Sequence, residues 1–81
     1  MDATTVAAMM ESNGWAIVEE TEQLVQGEQN ELVLNALFEN GVVVEVYAYE
    51  VETDTVGDTE FDLGYEAARA AIDDMLDGDD D

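Results

Sequence analysis

Asn40-Gly41 stands between two long apolar stretches and constrains the fold of this chain more than any other feature. Both residues tolerate positive φ, so the dipeptide favours a two-residue type I′ turn whose twist matches that of flanking strands. Residues 31–39 and 42–51 are therefore expected to form an antiparallel hairpin. A helical reading of residues 30–38 competes, because Leu32, Val33, Ala36 and Leu37 also fit a 3.6-residue period. The β-branched run Val42-Val43-Val44 that follows the turn favours the hairpin.

The flanking segments supply the remaining elements. Residues 3–13 carry Val6, Met9 and Met10 at helical spacing, with Asp2 or Thr4 available as N-cap and Gly14 placed to end the helix. Trp15-Ala16-Ile17-Val18 begins a strand that turns polar from Glu19 to Gln23 and recovers at Leu24-Val25; Gln26-Gly27-Glu28-Gln29 reads as the turn after it. Residues 52–60 read as a polar connection with turn chemistry at Val56-Gly57-Asp58. Phe61, Tyr65, Ala68, Ile72, Met75 and Leu76 recur at spacings of three and four, predicting a second helix with Thr59 and Asp62 as a capping pair and Gly78 as terminator. The expected fold class is α+β. A single domain over residues 1–78 has a two-layer α-β-β-β-α order, a three-stranded antiparallel meander with both helices packed on one face, and residues 79–81 form a disordered acidic tail. This element order resembles that of small bacterial secretion-chaperone-like domains, a likeness of order that assigns no site residues.

The hairpin also makes two faces readable. A two-residue loop sets Phe38 opposite Val43, Leu34 opposite Tyr47 and Leu32 opposite Tyr49, so one face carries Leu32, Leu34, Ala36, Phe38, Val43, Tyr47 and Tyr49. The other carries Val33, Leu37, Val44, Val46 and Ala48. Both are apolar, and a two-layer domain covers only one of them. Leu32, Leu34, Phe38, Val43, Tyr47 and Tyr49 are the candidate interface, for a homodimer or another protein partner.

Charge bounds the solvent. Asp and Glu number 22 against one basic residue, with no His, for a formal net charge of −21. The sole base is Arg69, and lysine is absent. Self-repulsion penalises the compact state in dilute buffer, and at about 1 M ionic strength a Debye length of about 3 Å screens it. The absence of Lys together with abundant Ala, Val and Thr resembles the proteome-wide composition of haloarchaea. Leu, Ile, Val and Phe supply 20 of the 81 residues, above the roughly 20% below which a highly charged chain stays disordered.

The same inventory narrows function. With no Cys, no His and no Lys, neither a thiolate metal site nor a nucleophilic triad can be assembled; no cofactor is expected. A carboxylate-pair enzyme is a distant third reading, because no Asp or Glu stands out from the acidic background. Glu52, Asp54, Gly57, Asp58 and Glu60 suggest a calcium loop, but with Gly57 sixth, Val56 and Leu63 occupy positions that need ligands. The remaining carboxylates attract hydrated cations without specificity. Arg69 is expected to pair with Glu66 and Asp73 along its helix. Trp15, Tyr47, Tyr49 and Tyr65 read as core or interface aromatics. The ending Gly78-Asp79-Asp80-Asp81 lacks the Gly-Gly tail of ubiquitin-like modifiers. No basic stripe is present for nucleic acid, and neither a leader nor a membrane span is visible, so a cytoplasmic location is expected. The leading expectation is thus a non-enzymatic interaction module. An acidic decoy that fills the basic cleft of a nucleic-acid-binding protein is the alternative.

Overall fold

A computed structural model describes residues 2–78. The elements run α1 (Ala3–Ser12), β1 (Ala16–Glu20), β2 (Leu24–Gln29), β3 (Leu32–Glu39), β4 (Val42–Glu50), β5 (Thr55–Asp58) and α2 (Tyr65–Gly78). The strands form one antiparallel sheet in sequence order. The chain is α+β with a meander under two helices, and the meander has five strands where three were expected. The tail at residues 79–81 lies outside the described residues.

Two departures account for the extra strands. The segment read as a turn at residues 26–29 is paired strand, and the chain reverses instead at Asn30-Glu31, whose φ values of 47° and 71° match the left-handed pair at Asn40-Gly41, 54° and 77°. Upstream, Thr21 caps the β1–β2 loop by accepting from the backbone N–H groups of Gln23 and Leu24. The polar connection contains β5, a short edge strand paired with β4 from Tyr47↔Asp58 to Glu50↔Thr55.

Both helices pack on the same sheet face, α1 over β1 and β2, and α2 over β3 to β5. Asp2 caps α1 by accepting from the Thr5 N–H at 2.9 Å, and Gly14 at φ 90° follows its last turn. The second helix starts later than expected. Thr59 donates instead to the Val46 carbonyl, Asp62 accepts from Gly64 N–H, and Phe61 lies 54% exposed before the helix, while Met75 also points outward. The core joins Val6, Met10, Leu32, Leu34, Val46, Ala68 and Ile72. Gly57 lets α2 approach β5 directly, since a Cβ there would stand 2.7 Å from the Ala71 carbonyl.

Trp15 locks the two ends of the chain together. Its buried indole donates to the Leu63 carbonyl at 2.8 Å and sits 6.0 Å, centroid to centroid, from the Tyr65 ring. Trp15→Phe keeps an aromatic body but strands that carbonyl, so a loss of about 1–3 kcal/mol is predicted, read from KCl-supported chemical denaturation. An unchanged midpoint would show that the bond contributes nothing.

Candidate functional site: the open face of the sheet

A one-residue bulge decides what the uncovered face presents. Phe38 pairs with Val43 but Leu37 pairs with Glu45, leaving Val44 as an extra residue. Because side chains alternate along a strand, that insertion reverses the facing of everything beyond it on β4. Leu34 therefore pairs with Ala48 rather than Tyr47, and Val33 pairs with Tyr49.

The six residues expected to form one interface are consequently split between two surfaces. Leu32, Leu34 and Phe38 are buried beneath the helices, with Val43 packed against them. Tyr47 and Tyr49 lie on the opposite face, alongside Val33 and Leu37, all four half-buried. Val46 and Ala48, assigned from sequence to the face of Leu37, belong instead to the core.

Three cross-strand rows define the open face. Ala16, Glu28, Val33, Tyr49 and Val56 form one; Glu19, Gln26, Asn35, Tyr47 and Asp58 form the next; Leu24, Leu37 and Glu45 begin the third. Leu24, Val33, Leu37, Tyr49 and Val56 supply apolar surface on either side of a central row that holds Gln26, Asn35 and Tyr47, and Glu19, Glu28, Glu45 and Asp58 add acidic side chains around them. A shallow hollow between Leu37, Tyr47 and Val56 is edged by Glu45 and Asp58. Asn35 is only 5% exposed, and its Oδ1 accepts from Gln26 Nε2 at 2.8 Å. The Tyr49 hydroxyl donates to Asp54, which holds the phenol above its usual pKa.

The ionic features sit at the other end of the strands. Glu50, buried on the helix-covered face, takes a hydrogen bond from Thr53 and one from Arg69 at 2.7 Å; these hold its carboxyl below the usual glutamate value. Arg69 also approaches Asp73 at 3.8 Å. Its main partner is thus a residue on β4, and Glu66, the other partner expected from sequence, makes no ion pair with it. Across the strand ends, the Glu52 carboxylate raises the pKa of Glu31. Glu31 also bears φ 71°, a region costly for residues with a Cβ. Glu31→Gly should accordingly raise the melting temperature by a few degrees in moderate salt. A lower melting temperature would contradict this reading of the turn.

Trp15 and Tyr65 are on the helix side and Tyr47 and Tyr49 on the open side, so the four aromatics make no common platform. Among the described residues, no group of acidic side chains is placed to hold a metal ion, and no helix is long and apolar enough to cross a membrane. No protein-family model, curated protein or solved structure matches this chain.

Proposed function

We propose that this chain is a salt-adapted, non-enzymatic interaction module of a salt-rich cytoplasm that self-associates through the open face of its sheet. The observation that carries the proposal is the band Leu24, Val33, Leu37, Tyr47, Tyr49 and Val56, left uncovered by helices that both lie on the other side. Five of these side chains are half-buried and Val56 is exposed, and an apolar band left open in this way is a candidate interaction site. The edges are guarded against strand addition: β1 is bulged at Val18 and ends in Glu19-Glu20, and β5 is four residues long. Association therefore proceeds by face.

A second copy is the partner that fits. A five-stranded face is about 20 Å wide and about 20–25 Å long, so pairing two buries on the order of 1,000 Å² in total, the lower bound for a specific interface. One self-complementary patch satisfies two-fold symmetry. The acidic side chains of the two faces repel in dilute buffer, and in about 2 M salt the screening length falls below about 3 Å.

Light scattering coupled to size exclusion in about 2 M KCl is predicted to give twice the 8.9 kDa chain mass. A folded species of single-chain mass at micromolar concentration would refute self-association.

A further inference from the structure

The open face contains a polar feature that apolar covering does not explain. Gln26, Asn35 and Tyr47 stand in register on β2, β3 and β4, at the middle of the face. Asn35 is almost wholly enclosed by its strand neighbours, although no helix crosses this side. Its Oδ1 fixes the half-buried Gln26 amide through the 2.8 Å bond from Nε2. Among the described residues this is the only hydrogen bond that either side chain makes. Gln26 therefore keeps its carbonyl oxygen and a second N–H unmatched, an acceptor and a donor side by side.

A primary amide edge of that kind is complementary to itself. Two copies related by a two-fold axis can exchange N–H and C=O reciprocally, with no net charge and no demand on salt. Resting on the self-association reading above, we infer that Gln26, oriented by Asn35, sets the register of the dimer by pairing with Gln26 of the second copy at the symmetry axis. Any displaced alignment presses the amide against Leu24, Leu37 or Val33 and leaves its polar atoms desolvated without partners. A single buried polar residue selects one alignment among several apolar ones by the same physics in coiled coils.

Gln26→Glu tests this with an isosteric change. At pH 7 in 2 M KCl it sets two carboxylates against each other, and the dimer dissociation constant should rise about tenfold or more by sedimentation equilibrium. Near pH 4 a protonated carboxyl again offers a donor and an acceptor, so affinity should return towards wild type. Gln23→Glu, in the exposed β1–β2 loop, adds the same charge away from the face and should change nothing. Glu19, Glu28, Glu45 and Asp58 are common to all three proteins. An unchanged Gln26→Glu dimer, or equal weakening by Gln23→Glu, overturns the inference while leaving the dimer standing; a monomeric wild type removes the dimer itself. Should circular dichroism show Gln26→Glu unfolded, Gln26→Leu takes its place. It should associate into several species, and a single dimer of wild-type affinity would count against the amide.

Discussion

In salt-free buffer at pH 7 the chain is predicted to be largely unfolded, and circular dichroism should record cooperative gain of structure as KCl rises to about 2 M. The expected effect is the full folding transition. The carboxylates have one cation among them, and it is already committed to Glu50 and Asp73. Like charges also meet at close quarters, as Glu31 and Glu52 do across the strand ends. At about 0.01 M salt the screening length is about 30 Å, so nearly every carboxylate of so small a fold feels every other; at about 1 M it is about 3 Å. Full cooperative stability without salt would contradict this account.

Mild acid should substitute for part of that salt. Glu31 titrates above its ordinary value when folded. Its favourable contribution is complete below the unfolded-state value and is lost as pH rises through the raised one. Asp2 and Glu50 act in the opposite sense, because hydrogen bonds from Thr5, and from Thr53 and Arg69, depress their folded values. Their stabilisation is present above the ordinary carboxylate range and is lost as pH falls through the depressed values. At low salt, stability should therefore rise between pH 7 and about 5 and turn over below about 4.

The second large effect separates two aromatic residues of the same hairpin. Phe38→Asp, at a position 5% exposed, places a carboxylate in the core. Removing a buried Phe alone costs about 3–5 kcal/mol, comparable to the whole stability of a small domain, and the charge adds to it. The variant should be unfolded even in 2 M KCl. Tyr47→Asp, on the open face, should leave the fold intact and give a monomer. The bulge at Val44 makes the difference. A folded Phe38→Asp, or an unfolded Tyr47→Asp, would mean that the strands pair in the unbulged register instead.

That bulge also marks where the sequence ceases to be readable. Asn40-Gly41 announces its turn because both residues accept the left-handed backbone that a tight hairpin needs. Nothing in Val42-Val43-Val44 shows which valine is unpaired: three identical side chains carry no alternation, and the slip moves Tyr47 and Tyr49 to the other face without altering composition. Asn30-Glu31 makes the same turn as Asn40-Gly41 with a glutamate in the glycine's place, which hides it. Thr55-Val56-Gly57-Asp58 reads as loop because its glycine serves the approach of α2 rather than a turn. Helix α1 is legible from its cap and spacing. Helix α2 is legible over its buried stripe, Ala68 and Ile72, but not at its start, where Phe61 continues the period while lying outside the helix. Of the open face, the existence of a second apolar surface was visible in the hairpin. The Gln26–Asn35 bond was not, since it joins strands whose pairing depends on the missed turn.

Self-association through the open face is tested most directly by an isotope-filtered nuclear Overhauser experiment in 2 M KCl on a mixture of labelled and unlabelled chains. Intermolecular contacts are expected from Leu37, Tyr47 and Val56, with none from Leu34 or Ile72. Absence of intermolecular contacts, or contacts confined to the β1 or β5 edge, would contradict association through that face.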